Sequence, residues 1–211
     1  MEFSSRQDAG RQLADYLLNL RVQADMVLGL PRGGVVVAAE VASALKAPLD
    51  VLLVRKIGHP RHREYAVGAL AEGDVVHLDD LAIQRTHVRE EELEGVIAEE
   101  KSRLEDYQQK FERSGPPELD GKTVLLVDDG IATGMTTEAA VLAARQKRAQ
   151  QVFVAAPVTS GSAYERLKTV ADQVFALLVD PEFDAVGRYY LEFDQTSDEE
   201  VMELLHARRH C

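Results

Sequence analysis

Two adjacent carboxylates stand out in the sequence because a loop of small residues follows them closely. Asp128 and Asp129 come directly after the four apolar residues 124–127, and the loop Ala132-Thr133-Gly134 follows after two further residues. Carboxylates only accept hydrogen bonds, so the pair suits the hydroxyls of a sugar. A loop with glycine and hydroxyl residues at a helix N-terminus offers amide N–H groups and a favourable dipole to a phosphate. The combination predicts a site for a phosphorylated sugar.

An ordinary strand-turn-helix with an aspartate as the helix cap is the alternative explanation of this pattern. A helix cap needs only one capping side chain, such as a single aspartate. Here two acids stand together, and Thr133-Gly134-Met135-Thr136 follows them. Ligands of open α/β sheets also bind at the carboxyl ends of the strands, which is where this loop is expected to lie. The pattern therefore favours a binding site over a plain cap.

Residues 124–136 resemble the motif by which type I phosphoribosyltransferases bind 5-phosphoribosyl-1-pyrophosphate (PRPP). The family pattern is four apolar residues, two acids, two or three small or apolar residues, and Thr-Gly-x-Thr; Gly130 departs slightly, because that position is usually apolar. The resemblance implies that Asp128 and Asp129 bind the ribose 2- and 3-hydroxyls. It assigns the 5-phosphate to the loop formed by Ala132, Thr133, Gly134, Met135 and Thr136.

Two further segments match the same family in the same order along the chain. Gly29-Leu30-Pro31-Arg32-Gly33-Gly34 resembles its pyrophosphate loop, in which glycines let the backbone approach an oxyanion closely. Arg55-Lys56 resembles the start of its flexible catalytic loop, as in the adenine enzymes. Taken alone, these could be a strand-to-helix turn and two basic residues at a strand end. Their order favours a resemblance that extends over about residues 26–180.

The chemistry of the implied substrate suggests roles for these residues. Displacement at the anomeric carbon places negative charge on the leaving pyrophosphate, which Arg32 and Lys56 would neutralise. We expect Arg32, Lys56 and Asp129 to be catalytic, Arg55 to help bind PRPP, and residues 57–66 to form a loop that closes over the substrate. Mg²⁺ is the expected cofactor. It would be held mainly by PRPP and water, with Asp128 and Asp129 as the only protein ligands considered.

The acceptor of the phosphoribosyl group is harder to predict. We expect it under a small hood built from parts of residues 1–20, 80–115 and 180–211. Four aromatic residues in the last segment either stack on a flat base or seal the core: Phe183, Tyr189, Tyr190 and Phe193. In the 6-oxopurine enzymes an aspartate typically stands where this chain has Ala132, which disfavours hypoxanthine and guanine. The sequence looks most like an uncharacterised bacterial branch of predicted phosphoribosyltransferases.

Three functional classes follow from this resemblance. The first is a phosphoribosyltransferase that uses PRPP and an unidentified small nitrogenous acceptor. The second is a non-catalytic regulator that senses PRPP, and the third is a hydrolase of PRPP or of a phosphate ester. The presence of both Arg32 and Lys56 favours catalysis, so we expect the transferase.

Strands and helices must alternate to position these loops. Apolar runs predict strands at 26–30, 51–54, 124–127, 152–156 and 174–179, and helical periodicity predicts helices at 6–20, 35–45, 136–147, 162–168 and 198–205. Residues 67–70 and 75–78 flank a turn and predict a hairpin. Residues 88–111 read as a charged helix that ends at the break 114–117. We therefore predict one domain, 1–211, with a doubly wound, mainly parallel sheet and a small hood.

Composition narrows the set of partners. The formal net charge of −12 over 211 residues argues against nucleic acid and anionic lipid. No apolar run approaches the ~18 residues of a membrane span, and the first residues lack the apolar core of a signal peptide, so we expect a cytoplasmic protein. A homodimer is expected if helix 88–111 serves as a dimer arm rather than as a solvated helix. The single cysteine, Cys211, with His206 and His210, is expected in a frayed tail rather than in a metal site.

Overall fold

The computed structural model describes residues 2–110 and 117–208. Its centre is a five-stranded parallel sheet in the order β2-β1-β6-β7-β8. The strands are β1 (Met26–Gly29), β2 (Leu49–Val51), β6 (Thr123–Val127), β7 (Gln151–Ser160) and β8 (Gln173–Asp180). The sequence prediction of a doubly wound parallel sheet is confirmed. The strands read as continuous apolar runs because helices cover both faces.

Alternate residues of the strands point to opposite faces of the sheet and pack in two separate hydrophobic cores. On β6, Leu125 and Val127 face the core shared with α1 (Arg6–Asn19), α2 (Gly33–Leu45) and α7 (Asp198–Arg208). The residues between them, Val124 and Leu126, face the core shared with α5 (Met135–Gln146) and α6 (Gly161–Leu167). This two-residue period is the geometry of a pleated strand. Observed helix bounds lie within two residues of the predicted ones for α1, α2, α5 and α6.

A second, antiparallel sheet extends from the end of β2. Its strands are β3 (Val54–His59), β4 (His62–Ala71) and β5 (Val75–Leu78), in that order. The predicted 67–78 hairpin is confirmed by the pairing of β4 with β5. Two other expectations were wrong. The predicted strand 51–54 divides between β2 and β3, and residues 57–66, predicted as a loop, form part of a β3–β4 hairpin. The closure of this segment over a substrate stays a prediction.

Ion pairs with α4 explain why the polar residues 55–63 form a hairpin. α4 (Glu90–Lys110) follows the short α3 (Asp80–Thr86) and lies along β3 with Leu93, Val96 and Leu104 buried. Its acids pair with arginines of the hairpin: Arg55–Glu100 at 2.6 Å, Arg63–Glu99 at 2.7 Å and Arg61–Glu92 at 2.9 Å. A helix packed along one edge is therefore the structural role of α4. The homodimer stays a prediction.

Some predicted features lie outside the residues that the structure describes. The end of the charged helix at 111, most of the break at 114–117, and the tail residues His210 and Cys211 are outside the described ranges. Residues 186–189 form a short 3-10 helix between β8 and α7. Among the helices that the structure describes, none is long and apolar enough to cross a bilayer.

Candidate active site

The loop after β6 carries the two adjacent acids to the carboxyl edge of the parallel sheet. Gly130, just after them, is buried, and an added Cβ would lie 2.5 Å from Val186 Cγ1. That contact explains why glycine replaces the usual apolar residue. The loop then pairs with β7 through Ile131, and the Ser160 hydroxyl donates to the Ala132 carbonyl at 2.6 Å. These contacts fix the loop that precedes α5.

The loop that leads into the N-terminus of α5 is open to solvent at this edge. Ala132 and Thr133 are exposed, and Gly134 caps the helix with φ of +75°, a conformation that favours glycine. The Met135 amide donates to the Thr133 hydroxyl at 3.4 Å, and Thr136 is half-buried in the first turn. Amides at the positive end of a helix dipole suit a phosphate.

The glycine loop after β1 packs directly against the acid pair. A Cβ on Gly33 would lie 2.0 Å from Asp129 Oδ2, and a Cβ on Gly34 would lie 2.9 Å from Asp128 Oδ1. Only glycine permits this approach, since real Cβ atoms essentially never come within 3.0 Å of another heavy atom. The peptide bond between Pro31 and Arg32 is cis. The structure thus brings together two of the segments that the sequence singled out.

The two carboxylates have different electrostatic surroundings. Burial, and then the negative charge of Asp129, raise the pKa of Asp128 well above its usual range; the Asp129 amide opposes this by donating to Asp128 Oδ1 at 2.9 Å. Asp129 Oδ2 accepts a hydrogen bond from Arg6 Nε at 2.7 Å. The Tyr190 hydroxyl donates to the Asp129 carbonyl. Burial, followed by the charge of Asp129, also raises the pKa of Tyr190. Asp129 is thus paired with a cation, whereas desolvation has the largest effect on the pKa of Asp128.

A cleft of about 450 Å³ opens on the other side of the glycine loop. Among the described residues that line it, three are cations and one is a carboxylate: Arg32, Arg55, Lys110 and Asp198. The Asp198 carboxylate lies 3.4 Å from Lys110 Nζ and 3.9 Å from Arg32 NH1, and it accepts a hydrogen bond from the Tyr107 hydroxyl. Burial alone would raise the pKa of Asp198, but the bonds from Tyr107 and Lys110 lower it. The cleft has the charge expected of a site for a polyanion.

Lys56 lies in a neighbouring cleft rather than in this one. That second cleft, of about 410 Å³, is bounded by β3 and α4 and shares Val54 and Arg55 with the first. Lys56 lines it together with Arg63 and the acids of α4. The sequence predicts that Asp128-Asp129, Arg32-Gly33-Gly34 and Arg55-Lys56 converge around one cleft. The structure places Arg55 in the same cleft as Arg32 and Lys56 in the adjoining one, and neither acid is among the described residues that line these two clefts.

Sequence reasoning missed the charged residues that come from distant segments. Arg6 reaches Asp129 across 123 positions of the chain, and Lys110 and Asp198 meet at the ends of α4 and α7. The only local signal for Arg6 was a cation in the first turn of a predicted helix, where the dipole disfavours positive charge.

The four aromatic residues at 183–193 mainly seal the core. Tyr189 and Tyr190 are buried with Phe3, and Phe183 stacks on Tyr189 with ring centroids 5.4 Å apart. Phe193 remains 39% exposed, and the Arg6 guanidinium carbon lies 3.9 Å from the centre of its ring. These rings therefore leave little free surface on which a flat base could stack.

Comparison with known proteins gives a consistent result. The family model for the phosphoribosyl transferase domain matches residues 4–192. A protein of Mycobacterium tuberculosis H37Rv that carries the name "putative phosphoribosyl transferase" is 44% identical over 204 residues. The match covers 96% of this chain and 46% of that protein, so the chain spans about half the length of this relative.

Solved structures agree with the sequence relatives. The TT1426 protein of Thermus thermophilus is 43% identical, with a TM-score of 0.83 and 99% of each chain covered. A hypothetical protein from Neisseria gonorrhoeae with bound ppGpp shares the fold at 14% identity and a TM-score of 0.52, over 98% of each chain. Because the family model matches residues 4–192, which are most of the chain, the chain belongs to the phosphoribosyl transferase domain family.

Proposed function

We propose that this chain is a PRPP-dependent phosphoribosyltransferase that acts on a small nitrogenous acceptor and releases pyrophosphate. One observation carries the proposal. The glycine loop after β1 touches the acid pair after β6 so closely that a side chain at Gly33 or Gly34 would displace its neighbours. Beside them, α5 begins at its cap Gly134, directly after the exposed residues Ala132 and Thr133. Such a glycine loop, acid pair and helix terminus suit the pyrophosphate, ribose and 5-phosphate of PRPP in that order.

Each part of the substrate has a proposed site in this arrangement. The amides of residues 132–136 hold the 5-phosphate, with the Thr133 and Thr136 hydroxyls nearby. Asp128 and Asp129 accept hydrogen bonds from the ribose hydroxyls. The pyrophosphate occupies the glycine loop and extends into the cleft of about 450 Å³, where Arg32, Arg55 and Lys110 face it. An acidic protein accommodates this polyanion because the cations are concentrated at one cleft.

Magnesium fits the residues at this site as a cofactor that arrives with the substrate. Asp128 and Asp129 offer the hard oxygen ligands that Mg²⁺ takes. Within the described ranges, no three His, Cys, Asp or Glu side chains are grouped to hold a metal ion, so PRPP oxygens and water would complete the coordination. When bound, Mg²⁺ would neutralise charge on the pyrophosphate.

The protein's own contribution to the reaction is positioning and charge stabilisation. As the bond from the anomeric carbon to pyrophosphate breaks, the leaving oxygens gain negative charge. Arg32 is held only loosely, with Asp198 3.9 Å away and its side chain 34% exposed, so it is available to the pyrophosphate. Lys56, on the adjacent strand β3, is the second cation we assign to this step. The acceptor would enter beside Asp129, where a cavity of about 260 Å³ lies between Arg6 and residues 192–200.

The test is pyrophosphate release from PRPP and Mg²⁺, with and without each member of a panel of nitrogenous bases and amines. Release that depends on one acceptor supports the transferase. Release that is independent of every acceptor would instead identify a hydrolase, and PRPP binding with no turnover would identify a regulator. Calorimetry with PRPP provides the binding measurement, and absence of binding would refute the whole proposal. The Asp128→Asn/Asp129→Asn double variant is the negative control.

A further inference from the structure

A buried arginine at the start of α1 contacts the acid pair beside the glycine loop. Arg6 Nε donates to Asp129 Oδ2 at 2.7 Å, and the two side chains are only 11% and 13% exposed. The NH1 group of Arg6 donates to the Asp194 carbonyl at 2.6 Å, and its guanidinium lies over the ring of Phe193. Three independent contacts therefore define a single orientation for this side chain.

The position of Arg6 is unfavourable for helix stability. Arg6 is the first residue of α1, directly after the capping residue Ser5. A cation there opposes the helix dipole, and its burial requires desolvation. A neutral or acidic residue would suit the helix better. Arg6 instead donates a hydrogen bond to Asp129. It also lies against the glycine loop, since a Cβ on Gly33 would lie 2.6 Å from Arg6 Nε.

We propose that Arg6 is a positioning residue for PRPP: it fixes the Asp129 carboxylate by one oxygen so that the remaining acceptor positions face the ribose. This inference rests on the proposed function. A carboxylate offers about four acceptor positions, and Arg6 Nε occupies one of them. The positive charge also offsets the repulsion between Asp128 and Asp129. Because Tyr190 donates to the Asp129 carbonyl, residues 190–194 and Arg6 together hold this acid at its side chain and at its main chain.

Arg6 should act on substrate binding rather than on the chemical step. In this proposal Asp129 binds the ribose hydroxyls alike in the ground state and in the transition state, instead of the catalytic role expected from the sequence. A disordered Asp129 therefore raises KM for PRPP and leaves kcat nearly unchanged. We expect Arg6→Ala to weaken PRPP binding by about 10- to 100-fold, the effect of losing one charge-assisted hydrogen bond. Arg6→Lys should recover part of the affinity, because lysine keeps the charge but lacks the planar fork.

The experiment is calorimetry with PRPP and Mg²⁺ on the full chain and four variants. Arg6→Ala and Arg6→Lys test the side chain itself, and Phe193→Leu removes the ring beneath it without touching Asp129. Arg11→Ala is the matched control, since it removes the same charge from an exposed position of the same helix. The expected order of affinity is wild type equal to Arg11→Ala, then Phe193→Leu and Arg6→Lys, then Arg6→Ala.

The outcomes separate this inference from the proposed function. If the wild type does not bind PRPP, both are refuted. If the wild type binds and Arg6→Ala binds equally well, only the role of Arg6 is refuted, even where the melting temperature falls, because Arg6 would then be purely structural. Tighter binding by Arg6→Ala would refute it as well, by showing that Arg6 competes with the ribose. Should Arg6→Ala not fold, Arg6→Lys and Phe193→Leu decide by the same criteria.

Discussion

Replacing Gly33 by alanine tests the contact on which the proposed site depends. Gly33 is the first residue of α2 and its φ lies outside the left-handed region, so alanine meets no backbone penalty there. The added Cβ would lie 2.0 Å from Asp129 Oδ2 and 2.8 Å from Asp129 Cγ, whereas ordinary contact begins at 3.4 Å. The Asp129 carboxylate must therefore move by more than an ångström, which breaks its 2.7 Å bond to Arg6.

A displaced Asp129 would lose the hydrogen bond that we propose it makes to the ribose. A charge-assisted hydrogen bond contributes roughly 1.5–3 kcal/mol, so the dissociation constant for PRPP should rise by about 10- to 150-fold. The fold should survive, because the clash is with a movable side chain rather than with backbone. Calorimetric titration with PRPP and Mg²⁺ measures the affinity, and thermal unfolding followed by circular dichroism measures the stability.

Gly95→Ala is the matched control for this substitution. Gly95 lies within α4, and an added Cβ there meets nothing within 4 Å. Alanine should stabilise that helix by up to about 1 kcal/mol and leave PRPP binding unchanged. If Gly33→Ala bound PRPP as tightly as the wild type while Gly95→Ala behaved as expected, the acid pair and the glycine loop would not share one substrate.

Three other predictions concern the same clefts. In the Asp128→Asn/Asp129→Asn variant each lost charge should weaken PRPP binding by roughly 1.5–3 kcal/mol, and unchanged affinity by calorimetry would remove both acids from the site. Lys56→Ala should lower kcat by about 10²- to 10³-fold with little change in PRPP affinity, as for loss of one charge-stabilising group; normal steady-state turnover would show that Lys56 is not catalytic. Burial and the bond to Asp198 raise the pKa of Tyr107 from 10.0 to about 12. The stability that this shift provides is complete below pH 10 and is lost as pH approaches 12. The difference in Tm between wild type and Tyr107→Phe should shrink across that window, and a constant difference would contradict the assigned cause.

The acid pair and the glycine loop could be predicted from sequence because their information is local. Each follows a buried strand directly, and parallel strands deliver such loops to one edge of the sheet. The reason for Gly130 was not local. Its Cβ position is occupied by Val186, which lies 56 residues further along the chain and is brought there by the fold.

The hairpin at 54–71 could not be predicted because its polarity reflects a distant partner. The sequence predicts a loop at 57–66, yet Arg63 in this stretch and Arg55 just before it pair with Glu99 and Glu100 of α4. A strand whose charges are matched by a neighbouring helix does not show the apolar alternation that indicates a half-buried strand. The same limit applies to Arg6, whose partner could be found only once the fold had been described.

The backbone bonds between the two ends of the domain suggest the order in which the site forms during synthesis. The Phe3 amide donates to the Tyr189 carbonyl at 2.7 Å, and the amide of Leu191 donates back to the Phe3 carbonyl at 2.8 Å. Domains fold as units while the chain emerges from the ribosome N-terminus first. The parallel sheet is complete once β8 has emerged, but Arg6 acquires its carbonyl partner only when residue 194 follows. A nascent chain stalled between β8 and this segment would therefore contain every strand of the sheet but lack both α7 and the carbonyl that holds Arg6 in the proposed site.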